Sequence, residues 1–270
     1  RVGPAGGAIA RLAGSGTAEV EGTEMGRFEG RSAVVTGASR GIGAAIAERL
    51  AADGFHVILT GRKEADLVAT EDRIHAAGGT ATIAPIDITK AEEVDRLAAA
   101  IAGRWEGLDL LVLNAATLGV LAPLAHVSPK EFDQVVALNI TAQWRMIRNF
   151  DALLRRARGT VVAVTSSVAT DTKAYWGPYA ASKAALETMV GTYAAEMQAL
   201  GVNALILDPG GTRTDMRAKA FPGEDPATLK GPEVVADALA DALPRLGAGL
   251  SRLKVARDGS AQVSQVPQAA

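Results

Sequence analysis

Short β-branched runs alternate with longer Ala-rich amphipathic runs through most of the chain, from residue 32 to residue 207. This alternation requires right-handed crossover connections and therefore a parallel sheet with helices on both faces. The strand runs are almost continuously apolar, as expected when both faces of a sheet are buried. The sequence thus predicts an α/β fold with a doubly wound parallel sheet. The predicted strands are 32–36, 55–59, 80–85, 108–114, 160–165 and 202–207, and the predicted helices are 41–53, 64–77, 90–104, 129–149, 179–200 and 232–246.

The two ends of the chain lack this pattern. Residues 1–26 are rich in Gly and Ala without a hydrophobic period, and we predict a flexible extension there. Residues 27–256 are predicted to form one domain that ends in an edge strand at 252–256, and residues 257–270 are predicted to be a polar, frayed tail. Pro and Gly recur after the sixth strand, which predicts a long loop at the carboxyl edge of the sheet.

Charge and composition exclude several classes of function. The chain carries 28 Lys and Arg residues against 30 Asp and Glu residues, whereas nucleic-acid binders usually carry a basic excess. It has no Cys, and its three His residues lack the spacing of metal ligands, so we expect no metal site. The sequence shows neither a membrane-spanning stretch nor the layout of a signal peptide, so we expect no membrane partner and a cytoplasmic location.

A glycine-rich segment lies between the first predicted strand and the first predicted helix. Its glycines allow a tight turn and a close approach of the backbone to a pyrophosphate, and the following helix N-terminus offers unpaired N–H groups. An apolar strand before the segment and a helix after it are the context that a dinucleotide-binding loop requires. The residues predicted to bind the dinucleotide here are Gly37, Ser39, Arg40, Gly41, Ile42 and Gly43.

The end of the second strand indicates which dinucleotide is bound. NAD sites place Asp or Glu about 20 residues beyond the glycine loop, where it accepts hydrogen bonds from the ribose hydroxyls. This chain has Arg62 and Lys63 there instead, and Arg40 lies within the loop. Because Arg binds phosphate bidentately, these cations suit the additional 2′-phosphate of NADP(H). We therefore predict that NADP(H) is preferred over NAD(H).

Three side chains suggest proton transfer to or from a substrate oxygen. Tyr179 and Lys183 are four residues apart in a predicted helix and so share a face. A cation within about 4–6 Å favours the phenolate and lowers the pKa of a Tyr, which makes the phenol a useful acid or base. Ser166 follows the fifth strand at the edge where open α/β sheets bind ligands, and its hydroxyl is predicted to hydrogen-bond the substrate oxygen.

Together these residues resemble the classical short-chain dehydrogenase/reductase family over about residues 30–216, and the stretch 210–230 resembles a bacterial subgroup of it. The resemblance implies a single-domain Rossmann-type fold and hydride transfer between NADP(H) and a carbonyl or secondary alcohol. It implies further cofactor contacts from Asp87, Ile88, Asn114, Ala115, Tyr179, Lys183, Pro209, Gly210, Thr212 and Thr214.

The resemblance also implies a role for each catalytic residue. Tyr179 is the acid/base, and Lys183 lowers its pKa and holds the nicotinamide ribose. Asn139 supports a water-linked proton relay through Lys183. Two adjacent serines compete for the remaining role, and the spacing usual in the family selects Ser166, 13 residues before Tyr179, over Ser167.

Two larger features follow from the same resemblance. Family loops after the sixth strand cover the active site, so residues 210–230 are predicted to be a substrate lid with Met216 and Phe221 as apolar contacts. The helices that begin near residues 129 and 179 carry broad apolar faces, and family members pair these helices across a dimer axis. We therefore expect a homodimer or homotetramer.

Three other functions are weighed against this one. A 3-oxoacyl-carrier-protein reductase would use a basic patch for its acidic carrier, and Arg213, Arg217 and Lys219 are candidates for it. A non-catalytic NADP(H)-binding sensor or scaffold would need none of the three catalytic side chains. An epimerase or dehydratase of the extended relatives would have a shorter glycine spacing and a larger C-terminal domain.

Overall fold

A computed structural model describes residues 27–267 of the chain, and the extension predicted at residues 1–26 lies outside the described residues. One eight-stranded sheet has helices on both faces, which confirms the predicted fold class. The strands are β1 (Ser32–Thr36), β2 (His56–Gly61), β3 (Thr80–Pro85), β4 (Leu110–Leu113), β5 (Thr160–Val164), β6 (Asn203–Asp208), β7 (Leu250–Val255) and β8 (Ala261–Gln265). The helices are α1 (Gly41–Ala52), α2 (Glu64–Ala76), α3 (Ala91–Ala102), α4 (Pro129–Val136), α5 (Ala142–Ala157), α6 (Gly177–Met197), α7 (Asp215–Ala220) and α8 (Pro232–Ala242).

The strand order is β3-β2-β1-β4-β5-β6-β7-β8. Strands β1 to β7 pair in parallel, and β8 pairs antiparallel with β7. The chain builds outward from β1 in one direction and then returns to build outward from β4 in the other. In such a sheet the loops after β1 and β4 diverge, and the crevice between them is where ligands bind.

Alternate side chains of the strands enter two separate hydrophobic cores. Val34 faces a core formed with α3, α5 and α6, and its neighbour Val35 faces a second core formed with α1, α2 and α8. Both valines are fully buried. Because strands β1 to β6 are covered on both faces, their side chains are mostly apolar, which is the pattern that the sequence shows.

The single helix predicted at 129–149 is wrong in detail. Helix α4 begins with a capping box in which the Ser128 hydroxyl accepts from the Glu131 backbone N–H. A π-helical segment (Ala137–Thr141) then separates it from α5, which continues to Ala157 because Leu153 and Leu154 are buried in the first core. The wider turn of a π segment is frequent at functional sites, and this one carries Asn139.

The predicted edge strand and frayed tail are also corrected. The strand expected at 252–256 is β7, and it lies inside the sheet because β8 covers its free edge. A turn held by hydrogen bonds from Ser260 to Asp258 connects the two strands. All five residues of β8 are exposed, so no hydrophobic alternation marks it in the sequence. A short polar strand of this kind shields a sheet edge from unwanted pairing.

Candidate active site

The glycine loop lies at the carboxyl end of β1, in the crevice where the strand order reverses. Gly41 begins α1 with φ +57°, a conformation that favours glycine. A Cβ at Gly43 would overlap the Gly37 carbonyl and the side-chain amide of Asn114, so only glycine allows this close packing. Ser39 lies half-buried in the loop, and Ile42 packs against the second core. This backbone arrangement fits a dinucleotide pyrophosphate.

Asn114 fixes the loop from β4. Its side-chain amide donates to the carbonyls of Thr36 (2.8 Å) and Gly37 (3.2 Å). The backbone N–H groups of Asn114 and Ala115 both donate to the Thr36 hydroxyl, at 2.9 and 3.0 Å. The structure therefore brings Asn114 and Ala115 to the glycine loop, and it uses the Asn114 amide to hold the loop in shape.

The predicted phosphate-binding cations are exposed and available. Arg40 makes a 3.0 Å ion pair with Asp215 of α7, and both side chains are largely exposed, at 72% and 67%. An exposed pair of this kind contributes at most about 1 kcal/mol, so a phosphate can compete for the guanidinium. Arg62 is exposed just beyond β2 and forms no ion pair within residues 27–267.

The remaining predicted cofactor residues lie at the same edge of the sheet. Asp87 follows β3, where its carboxylate accepts from the Thr89 N–H and hydroxyl, and Ile88 is buried beside it. After β6, the hydroxyl of Thr212 donates to the Pro209 carbonyl at 2.9 Å.

The loop after β6 reaches the glycine loop. Gly210 is exposed and donates its N–H to Asp208 at 3.0 Å, and Thr214 caps α7. A Cβ at Gly41 would lie 3.5 Å from the Thr214 methyl group. This loop therefore closes one side of the crevice.

Tyr179 and Lys183 lie in the first two turns of α6 and are both buried. The Lys183 ammonium donates to the Val164 carbonyl at 2.7 Å and lies 5.7 Å from the centre of the Tyr179 ring. Burial raises the pKa of the Tyr179 phenol to about 12, and the Asp208 carboxylate adds to this. Burial and Asp208 therefore both disfavour the phenolate, and a lowering of this pKa by Lys183 remains a prediction.

Ser166 lies two residues beyond β5 and immediately before a 3-10 turn at Ser167–Ala169. Val168 of that turn packs in one cluster with Tyr179, so the structure brings this segment to the Tyr. The Ser166 side chain is half-buried, whereas Ser167 is exposed. The hydroxyls of Ser166 and Tyr179 both lack a hydrogen-bond partner among the described residues.

Asn139 is buried and makes hydrogen bonds with every part of its amide. Its NH₂ group donates to the Thr117 carbonyl (2.9 Å) and the Ser182 hydroxyl (3.0 Å), and its oxygen accepts from the Thr117 N–H (2.8 Å). Both donors are thus already used within the chain. The side chain of Asn139 positions the loop after β4 against α6, and the water-linked relay remains a prediction.

Glu187 and Arg252 form an ion pair near Lys183 that was not predicted from the sequence. Arg252 of β7 donates to both carboxylate oxygens of Glu187, at 3.3 and 2.6 Å, and the Thr165 hydroxyl donates to the same carboxylate at 2.6 Å. Burial lowers the pKa of Lys183 to about 8, and the nearby Glu187 charge raises it against that trend. The four-residue spacing from Lys183 to Glu187 places both on one helix face and was the available signal.

Membrane spans and metal sites were both expected to be absent, and residues 27–267 can be searched for each. None of their helices is long and apolar enough to cross a membrane, and they hold no group of three or more His, Cys, Asp or Glu side chains placed to bind a metal.

Comparison with known proteins gives consistent relationships. The family model described as short chain dehydrogenase matches residues 31–225. Over 207 residues the chain is 39% identical to the uncharacterized oxidoreductase YciK of Escherichia coli K12, covering 75% of this chain and 81% of that protein. It is 34% identical to glucose 1-dehydrogenase of Gluconobacter oxydans over 207 residues, covering 76% and 77%. A crystal structure of a short chain dehydrogenase from E. coli CFT073 complexed with NADPH superposes with a TM-score of 0.77 at 34% identity, covering 86% of this chain and 99% of that one.

Replacing Glu187 with Gln should lower the pKa of Lys183 below about 8, by on the order of one pH unit. The amide oxygen can still accept from Thr165, but the negative charge that favours the ammonium is gone. The measurement is an NMR pH titration of ¹³C-labelled lysine side chains, with Lys183 assigned through Lys183→Arg. Glu196→Gln, an exposed position on the same helix, is the control, and an unchanged Lys183 titration in Glu187→Gln would contradict this assignment.

Proposed function

The chain belongs to the short-chain dehydrogenase family of oxidoreductases, which act on alcohol and carbonyl groups, and we propose that it transfers a hydride between NADP(H) and a carbonyl or secondary alcohol with Tyr179 as acid/base. The observation that carries this proposal is the pair of unpartnered hydroxyls at the carboxyl edge of the sheet. Tyr179 is only 7% exposed, and its hydroxyl and that of Ser166 have no partner within residues 27–267. Neither hydroxyl oxygen is among the fully buried atoms that lack a partner, so both are accessible and free to bind a substrate oxygen.

The protonation states of the two groups favour reduction. With its pKa raised to about 12, the Tyr179 phenol is protonated at neutral pH, the form that donates a proton to a carbonyl oxygen. Lys183, with a pKa of about 8, is mostly charged there and stabilises the phenolate that remains. The nicotinamide cofactor supplies the hydride.

The cofactor is proposed to lie in the crevice beside β1 and β4. The glycine loop would hold its pyrophosphate, Asp87 and Ile88 its adenine, and Lys183 its nicotinamide ribose. Arg40 and Arg62 would bind the 2′-phosphate, which is the basis for proposing NADP(H) rather than NAD(H). A similar solved structure is complexed with NADPH, which supports the use of this cofactor.

The other candidate functions have less support. Of the three cations considered for a carrier-protein patch, Arg217 is occupied by a two-bond ion pair with Glu224 at 2.6 and 2.8 Å. A non-catalytic sensor would have no need for two unpartnered hydroxyls beside a buried ammonium. Both observations favour a small carbonyl substrate and turnover.

The cofactor proposal predicts that NADPH binds at least tenfold more tightly than NADH, a difference of about 1.4 kcal/mol. Arg40→Ala and Arg62→Ala should each weaken NADPH binding about tenfold and leave NADH binding nearly unchanged, because only NADPH carries the 2′-phosphate. Fluorescence titration at fixed salt measures both affinities. Arg73→Ala, on the last turn of α2, is the control. Equal losses for the two cofactors, or tighter NADH binding, would overturn the assignment.

The acid/base proposal predicts that Tyr179→Phe lowers kcat for carbonyl reduction by at least about 10²-fold while the affinity for NADPH changes less than about threefold. The substitution removes only the hydroxyl, so the ring packing persists. The matched control is Tyr175→Phe, since Tyr175 is 60% exposed and lies just before α6. Retained turnover in Tyr179→Phe would contradict the assigned role, and a cellular effect that persists without turnover would support the sensor.

We also propose that the chain forms a homodimer or homotetramer. Phe132 of α4 and Trp144 of α5 are 41% and 47% exposed, which is unusual for large apolar side chains and consistent with a covered face. The exposed apolar side chains that support an interface lie on α4 and α5. The exposed residues of α6 are small or polar, so that helix adds no such support.

Light scattering at micromolar concentration should give at least twice the mass of 27.7 kDa. Trp144→Glu should shift the protein towards the monomer, because a charge would have to be buried in the interface. A monomeric mass for the unmodified protein would end this proposal.

A further inference from the structure

A third hydrophobic cluster, separate from the two cores, surrounds Tyr179. We name it the apolar wall, and it consists of Leu118, Leu121, Val168, Trp176, Ala180, Met216, Ala220 and Phe221. Its members come from the loops after β4 and β5, from the first turn of α6, and from α7 and the residue that follows it. All of these segments lie at the carboxyl edge of the sheet. Leu118, Leu121, Met216 and Phe221 are only partly buried, so they present apolar surface next to the Tyr.

Trp176 is the centre of the wall. Its ring meets Tyr179 edge-on with centroids 5.9 Å apart, and it packs on Phe221 at 5.5 Å. Trp176 therefore joins α6 to the segment after α7.

Two cations contact the Phe221 ring. The Lys173 ammonium lies 4.3 Å from the Phe221 ring centre and 5.0 Å from that of Trp176. The Arg217 guanidinium lies 3.7 Å from the Phe221 ring centre and is itself fixed by Glu224. Cation–π contacts of this kind order the ring, so the wall is preformed.

The wall offers almost no hydrogen bonds. Apart from Tyr179 itself, the side chains of the wall carry one polar group, the indole N–H of Trp176, and of the two cations on its rings Arg217 is already bound by Glu224. A substrate with several hydroxyl groups would lose its hydration here and gain few partners, and each unpaired hydroxyl costs free energy comparable to a lost hydrogen bond. An aromatic or alkyl group loses nothing of this kind and gains apolar contact.

From these contacts, and resting on the proposed oxidoreductase function, we propose that the site takes carbonyl compounds flanked by aromatic or alkyl groups and rejects sugars and other polyols. The carbonyl oxygen would meet the hydroxyls of Tyr179 and Ser166, and the hydrocarbon would lie against Trp176, Phe221 and Met216. This specificity would differ from that named for the Gluconobacter relative, glucose 1-dehydrogenase.

The test compares two substrate classes on the purified full chain. Acetophenone, cyclohexanone and 2-heptanone are reduced with NADPH, and 1-phenylethanol is compared with D-glucose and D-xylose in oxidation with NADP⁺. We expect kcat/KM for 1-phenylethanol to exceed that for either sugar at least 100-fold, with measurable reduction of the ketones. Equal or faster oxidation of a sugar would overturn this inference and leave the proposed function intact. Absence of turnover with every compound, in a protein that binds NADPH, would overturn the proposed function and this inference with it.

Variants of the wall separate specificity from folding. Trp176→Ala and Phe221→Ala should each lower kcat/KM for 1-phenylethanol 10- to 100-fold, mainly by raising KM, because the wall contacts ground state and transition state alike. NADPH affinity should change less than twofold. Phe221→Ala removes a partly buried side chain and serves if Trp176→Ala does not fold. Trp105→Phe, which lies by the opposite edge of the sheet near the start of β2, is the control. A ratio of 1-phenylethanol to glucose activity that stays unchanged in both wall variants would overturn the assignment.

Discussion

The site depends on the hydrogen bonds that join the carboxyl ends of β1 and β4. The Thr36 hydroxyl donates to the Val112 carbonyl and accepts from two backbone N–H groups of the loop after β4, while the Asn114 amide binds the glycine-loop carbonyls. These bonds join the loops after β1 and β4, at the point where the strand order reverses. The two loops lie beyond the last paired residues of the strands, so these side chains take over the role of the strand pairing there. Without them the backbone polar groups of both loops would be unsatisfied, and the shape offered to a pyrophosphate would be lost.

A second set of contacts ties helix α6 to these two loops. Asn139 joins the loop after β4 to Ser182, which lies between Tyr179 and Lys183 on α6. Glu187 joins the segment after β5 to the same helix through Thr165. The crevice and the phenol are therefore positioned by buried and half-buried side chains on β1, the π segment and α6 and in the loops after β4 and β5. Residues that are rigid in this way cost little reorganisation when a substrate binds.

Much of the fold and part of the site could be predicted from sequence, and the misses share a physical cause. The strand and helix pattern is visible in the sequence because strands β1 to β6 are mostly apolar on both faces. The glycine loop is visible because close packing against Asn114 restricts position 43 to glycine. The π segment around Asn139 and the polar strand β8 carry no periodic signal, because their conformations depend on distant partners. The raised pKa of Tyr179 was missed for the same reason: spacing shows the neighbouring Lys183, whereas burial is set by Trp176 and the rest of the fold.

Burial favours the neutral form of both members of the Tyr–Lys pair, and two carboxylates act on them in different ways. Asp208, at the end of β6, disfavours the Tyr179 phenolate, so it adds to the effect of burial and keeps the phenol protonated. Glu187 favours the Lys183 ammonium, so it opposes burial and keeps that group charged. The Arg252 ion pair holds the Glu187 charge in place. The chain thus maintains a neutral phenol beside a cation, which is the acid form of the couple and the one that carbonyl reduction requires.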